Sequence, residues 1–393
     1  MKYIFLILVS LQSTFAFSQS IELLTQINTE KHQSLVMTEK NSISAELNKN
    51  LLLSNQAFIA IQLSNSQSIT VERLKLIQRS ENKVNFAIVN DSISGSIYSK
   101  WGVFEIMPLG NNRIKMAQLI TENFEECDGT LEVPIDFVNT NKKHNKQQTI
   151  KGSNTTTLDV LIFYSNDTLN ALGSHESVES TAQASIDNMN TALGNSQLMS
   201  GIDEVRLLAT IPLDRDESGD AGSELSWLRN DNTVNSLRNL YGADLVSMLS
   251  ATTGGCGIGY VMRSPGTGFS ESAYQVTKYT CAVGNLTMAH EFGHNLGLEH
   301  NPENSSAWPT SGSYPYSFAH YHDGSYRTVM SYSNPCTNGC SRRMYYSNPD
   351  VNYQDLPTGI TETNDNTRSL EQTTLFAIDF RQIPVIFANS FEL

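Results

Sequence analysis

Residues 290–300 read HEFGHNLGLEH, with three histidines and two glutamates in one short stretch. Side chains four apart lie on one face of a helix, so His290 and His294 project together and can share one ion. Two imidazoles at that spacing suit Zn²⁺. Glu291 sits about 100° round the helix. From there its carboxylate addresses a water at the ion rather than the ion itself, the position of a general base. A continued helix would carry His300 roughly 240° round, to the wrong side. Gly297 can take the left-handed conformation that ends helices, and the chain can then turn to bring His300 in from a third direction. Three neutral imidazoles and one water make an open tetrahedral zinc site, which acidifies the water and polarises a carbonyl. The chemistry expected of one such ion is hydrolysis of an amide. A lone HExxH arises by chance in roughly one such chain in a hundred, and requiring Gly297 and His300 lowers that by about a thousandfold. A helix with surface histidines is therefore the weaker reading. A purely structural zinc would need a fourth protein ligand where the motif supplies a glutamate. Calcium is compatible with the chain, but no segment points to it.

The elements around the motif alternate. LDVLIFYS (158–165) reads as a fully buried strand, and EVRLLATIPL (204–213) and ADLVSMLS (243–250) as a second and a third strand. ESTAQASIDNMNTALGNS (179–196) and SELSWLRNDNTVNSLRNLYG (223–242) have helical spacing, the second stopped by Gly242. This pattern predicts an α/β domain with a mainly parallel sheet. GIGYVM (257–262) fits an edge strand, a further strand is expected over 273–278, and the motif helix begins near Asn285 or Thr287. A last helix is expected over 366–382. Residues 19–138 read instead as short strands, among them 57–64, 83–90 and 102–109. Residues 139–157 form a polar linker with four lysines, open to proteolysis.

The chain has 393 residues, a formal net charge of −14 and 39% hydrophobic residues. That balance argues against a nucleic-acid partner and for a self-repelling protein, expected to be a monomer. Residues 1–18 have the three-part pattern of a secretory signal, and their apolar run is too short to span a bilayer. No later stretch is long and apolar enough to do so, and the expected location is outside the cell. Export permits disulfides among Cys256, Cys281, Cys336 and Cys340, whose three pairings the sequence leaves open. Cys127 is the odd one out.

At the level of HExxHxxGxxH followed by a methionine, the sequence resembles the metzincin zinc endopeptidases. His290, Glu291, His294, Gly297 and His300 match residue by residue. Met330, in YRTVMSYS (326–333), matches the methionine that floors the metal site. Tyr332 stands where related groups carry a tyrosine that ligates zinc or stabilises the oxyanion. LDVLIFYS, YGADLVSMLS, CGIGYVM and RRMYYSNPDV are most similar to the reprolysin-like and peptidyl-Asp metalloendopeptidase branch. Asn301 departs from the Asp, Glu or Pro that named subfamilies carry after the third histidine.

The resemblance implies a metzincin-type catalytic domain over 151–393, preceded by a β-rich propeptide domain over 19–150. It implies protein or peptide substrates, lying extended along Gly257, Ile258, Gly259, Tyr260 and Val261 as an added strand. Cys127 then has two readings, a zymogen switch occupying the fourth zinc position or a buried free thiol. Arg327, Arg342 and Arg343 could attract an acidic substrate side chain. His320 and His322 read as loop histidines. A rival from another class is a catalytically inactive domain with an adhesive N-terminal module.

Overall fold

The computed structural model describes residues 83–90, 92–99, 102–110, 113–132 and 156–381, together with strand backbone at 8–10, 20–22, 24–28, 39–47, 58–62 and 68–72. Most of the signal segment 1–18, all of the linker but residues 156 and 157, and the tail PVIFANSFEL lie outside the described residues.

The N-terminal part is β-rich. Strands β1 (Leu24–Asn28), β2 (Glu39–Leu47), β3 (Lys83–Val89), β4 (Ser92–Ser99), β5 (Gly102–Pro108) and β6 (Arg113–Leu119) form one antiparallel sheet in the order β1-β2-β6-β5-β4-β3. The expected strands at 83–90 and 102–109 are β3 and β5. The one expected at 57–64 forms a hairpin, Phe58–Gln62 against Ser68–Glu72. After β6 the chain crosses to the C-terminal part and adds a two-residue strand there, β7 (Thr130–Leu131).

The C-terminal part is the expected α/β arrangement. β8 (Thr157–Tyr164) is flanked in parallel by β9 (Glu204–Pro212) and β10 (Leu245–Ser250), and β12 (Tyr274–Lys278) extends the parallel run. β11 (Gly257–Tyr260) reverses direction, antiparallel to β12. The sheet order is β7-β11-β12-β10-β8-β9. β8 and β10 are buried along almost their whole length, which is why their sequences are apolar runs rather than alternating patterns. β11 is the last strand the C-terminal part contributes on that side. Its outer flank is taken by β7 in parallel register, Thr130 opposite Gly259 and Leu131 opposite Tyr260. The strand stops at Tyr260, but Val261 continues the contact by donating its N–H to the Leu131 carbonyl at 3.1 Å.

Helix α1 (Asn166–Leu172) leads into α2 (His175–Asn195), capped by Ser174, whose side chain accepts from the Ser177 N–H. Val178, Ala182, Ile186 and Met189 recur along α2 and join the main core. The single helix expected over 223–242 is two, α3 (Ala221–Asn230) and α4 (Asn232–Tyr241). Asp231 separates them: its extended backbone ends α3, and its carboxylate accepts from the Val234 N–H at 2.9 Å to start α4. An aspartate that can bond the backbone locally favours a cap over a helix interior. Gly242, at φ 69°, ends α4 as expected. Helix α5 (Thr287–Asn295) carries the histidine motif and is buried over its full length. Asn295 at its end donates to the Tyr260 and Tyr274 carbonyls at 2.8 and 3.0 Å, locking the helix to β11 and β12. Helix α6 (Asn366–Ala377) closes the part and is shorter than the expected 366–382. The cysteines pair as Cys256–Cys281 and Cys336–Cys340, leaving Cys127 free. The first bond ties the entrance of β11 to the turn after β12. Among the described residues no helix is long and apolar enough to cross a membrane.

Candidate active site

α5 ends at Asn295, and Gly297 follows in the left-handed region at φ 84°. A Cβ there would also press on the Met262 carbonyl at 3.0 Å, so glycine is required twice over. The reversal brings His300 back to the helix. His300 Nε2 lies 3.2 Å from His290 Nε2 and 2.9 Å from His294 Nε2. Each ring is held from behind by a main-chain carbonyl: His290 Nδ1 by Val329 at 2.9 Å, His294 Nδ1 by Leu298 at 2.8 Å and His300 Nδ1 by Asn304 at 3.3 Å.

These carbonyls test whether the residues suit a metal. A carbonyl only accepts, so each Nδ1 carries the proton and each Nε2 presents a bare lone pair. Three converging lone pairs repel one another unless a cation lies between them. Ligands of a tetrahedral zinc, with Zn–N near 2.0–2.1 Å, stand about 3.3 Å apart. Burial pushes all three imidazoles below their ordinary value, His294 to about 4, which keeps them in the neutral, ligating form. The donor set therefore fits a divalent cation, and nitrogen with sulfur or water suits zinc.

Cys127 approaches the same point from the N-terminal part. Its Sγ is 3.2 Å from His300 Nε2 and 2.6 Å from the Tyr332 hydroxyl, and the four ligand atoms all lie within 4.8 Å of one another. Burial, then the charge of Glu291, pushes the thiol well above its ordinary value, and a bound cation would act in the opposite sense. Tyr332 also donates to the Cys127 carbonyl at 3.1 Å.

Glu291 is fully buried, and neither carboxylate oxygen has a hydrogen-bond partner among the described residues. Burial pushes its carboxyl well above the usual range. β11 packs on it closely: a Cβ at Gly257 would sit 2.8 Å from Glu291 Oε1, and one at Gly259 would sit 3.1 Å from the Glu291 carbonyl. The glycines of β11 thus make room for Glu291. Met330 lies under α5 at Gly293, where any Cβ would collide with its sulfur. Glycine inside the motif is therefore the mate of the methionine floor.

A second polar cluster adjoins the first. Glu126, the residue before Cys127, meets Arg327 Nη1 at 3.3 Å and Arg342 Nη2 at 3.1 Å. Ser333 adds its N–H at 2.7 Å and its hydroxyl at 2.8 Å. Both arginines are buried. Burial, then Arg342, lowers Arg327 to about 10. Burial raises the Glu126 carboxyl, but Arg327, Arg342 and Ser333 outweigh it and hold the group below its ordinary value. Arg343 instead lies over the Tyr353 ring. His320 and His322 are not part of the metal-type cluster. Glu299 and Asn301, left without a role by sequence, are structural here. Arg263 binds Glu299 at 2.7 Å, and Asn301 Oδ1 accepts the Tyr332 N–H at 3.0 Å, fixing that tyrosine's backbone. Glu126, Gly293 and Asn301 were the residues missed. The clues were the glutamate beside the odd cysteine, the glycine within the motif, and the departure after His300.

Residues 180–301 match the model of the metallo-peptidase family M12B, reprolysin-like. The chain is 26% identical to the peptidyl-Asp metalloendopeptidase of Xanthomonas campestris pv. campestris, over 74% of this chain and 68% of the relative. It is also 26% identical to the protein of that name from Stenotrophomonas maltophilia, strain R551-3, over 76% of this chain and 71% of the relative. Among solved structures, one titled as a chaperone–substrate complex aligns with 76% of this chain at 15% identity and a TM-score of 0.46, and the chain spans 46% of its length.

Proposed function

We propose that this chain, a metalloendopeptidase with a reprolysin-like domain, is a zinc endopeptidase made as an exported, latent precursor. The observation that carries the reading is the convergence of three neutral Nε2 atoms beside the buried, partnerless carboxylate of Glu291. His290, His294 and His300 would hold the ion. When bound, it supplies Lewis acidity to a substrate carbonyl and to water. Glu291 takes a proton from the attacking water on one carboxylate oxygen and returns it to the leaving nitrogen as the C–N bond breaks. Burial raises its carboxyl, and a cation held by the three histidines would act in the opposite sense and favour the ionised form that accepts the proton. The Tyr332 hydroxyl donates to the oxygen on which negative charge develops. β11 offers backbone groups to an extended peptide through Gly257, Ile258, Gly259 and Tyr260, with Val261 beyond.

Latency follows from what lies in the cleft. Cys127 takes the position a water would need, and β7 takes the flank of β11 that a substrate would need. Residues 19 to about 150 act as a propeptide, cut within the lysine-containing linker after a signal at 1–18 has been removed. The relatives are named for peptidyl-Asp bonds, and the same acidic preference is proposed for this chain.

The test is to express the full chain, sequence the N-terminus of the exported form, and incubate it with denatured casein beside Glu291→Gln. Cleavage by the parent alone, with one zinc per chain in both, is expected. Equal lack of cleavage by both forms after loss of residues 19–150 would support the inactive, adhesive reading instead. A Cys127→Ala precursor as latent as the parent would remove the switch.

A further inference from the structure

We propose that Arg327 and Arg342 form the pocket that reads an acidic substrate side chain next to the scissile bond, and that Glu126 occupies this pocket in the precursor as a built-in stand-in. The inference rests on the endopeptidase reading above and adds the residues that select the substrate.

Cys127 reaches the histidine cluster, so the side chain one residue before it falls in whatever pocket borders the reacting centre. That side chain is a carboxylate, and it receives Arg327 Nη1, Arg342 Nη2, the Ser333 N–H and the Ser333 hydroxyl. All four donors belong to the C-terminal part and stay behind when the N-terminal part leaves.

Two buried guanidinium groups stand together, and the carboxylates that favour charge on Arg327 are Glu126 and Glu122, both in the N-terminal part. Their C-terminal partners are neutral carbonyls: Ser331 for both, and Asn285 for Arg342. Arg327 Nη2 also donates to the Thr121 carbonyl at 2.6 Å. Removing residues 19–150 takes away Thr121, Glu122 and Glu126 together and leaves two cations facing the cleft. Arg327 Nε and Arg342 Nε have no partner among the described residues. A buried charge pair deprived of its counter-charge is costly, and an arriving carboxylate restores it where an amide cannot. The pocket therefore discriminates Asp or Glu from Asn or Gln by charge as well as shape.

The test uses the matured protein and two peptides identical except for Asp or Asn beside the cleaved bond. The parent should favour the Asp peptide in kcat/KM by about 100-fold or more, as sites built around a buried polar partner do. Arg342→Met and Arg327→Met should bring the ratio below about tenfold while one zinc per chain is retained, and Arg327→Lys should restore part of it. A merely structural arginine would lower both rates together and leave the ratio unmoved, which overturns the proposal. Where a methionine variant fails to fold, the precursor variant Glu126→Gln decides. It should mature several-fold faster than the parent, and equal maturation overturns the stand-in. Cleavage by the parent with no acidic preference overturns the pocket and leaves the peptidase reading intact. No cleavage of either peptide overturns both.

Discussion

The two polar clusters that meet at residues 126 and 127 are built in opposite ways. The histidine cluster is assembled from positions ten residues apart or fewer, on one helix and the turn that ends it. The arginine cluster joins residues 201 and 216 positions apart and draws its acid from one part of the chain and its bases from the other. The local cluster is rigid because its spacing is set by the helix pitch, and each ring is pinned by a backbone carbonyl. The long-range cluster exists only while the two parts are together. On the proposed precursor reading, the site that must keep its geometry is local, and the contact that must be given up is not.

Substitutions test the difference between the two clusters. The largest effect belongs to Glu291→Gln, which should lower kcat by about 10²–10⁴-fold, the ordinary worth of a general base, with zinc content unchanged by atomic absorption. A loss of metal instead would show Glu291 to be structural. Gly293→Val drives a side chain into Met330 in a close-packed site and should cost about 1–3 kcal/mol in urea unfolding of the matured form. An undiminished midpoint would mean that the methionine floor yields freely. Asn301→Ala removes one hydrogen bond to the Tyr332 backbone, worth about 1 kcal/mol, and should lower kcat a few-fold while KM stays close to the parent. The smallest effect is one of pH. Glu126 is held below its ordinary value of 4.5 while bound, so its contribution is complete above that value and is lost as pH falls through the lowered one. Binding of the cleaved N-terminal part to the matured enzyme, followed by fluorescence anisotropy, should weaken in that acid window. It should weaken less steeply for Glu126→Gln.

The histidine cluster was readable because period and punctuation carry it: the i, i+4 pair, the glutamate between, and a glycine at the place where the helix must stop. The middle of the parallel sheet was readable because β8 and β10 are buried and therefore continuous apolar runs, while the edge strand β9 is only half-buried and was legible from its apolar, β-prone composition. The break at Asp231 was not, since an aspartate in an otherwise helical pattern serves equally as an exposed helix residue or a cap. The flank of β11 was also hidden. Thr130–Leu131 is too short to show any alternation, and its pairing depends on a crossing from the other end of the chain. Glu126 had no local signal beyond its neighbour, because the arginines that give it meaning lie more than 200 residues away.

α2 meets the N-terminal sheet partly through polar side chains. Asn85 Nδ2 donates to Asn188 Oδ1 and Thr191 Oγ1, both at 2.7 Å, Ser96 donates to the same Asn188 oxygen at 3.1 Å, and Ser92 meets Ser177 at 2.9 Å. This face of α2 is an array of amide and hydroxyl groups, while its apolar residues turn to the core. Water can take over each of these bonds one for one. On the proposed reading, this polar row is already suited to solvent, whereas Ala184 and Val283, packed against Ala87, and the core residues that meet Tyr98, Val103, Ala117 and Leu119 lose their cover when the sheet departs.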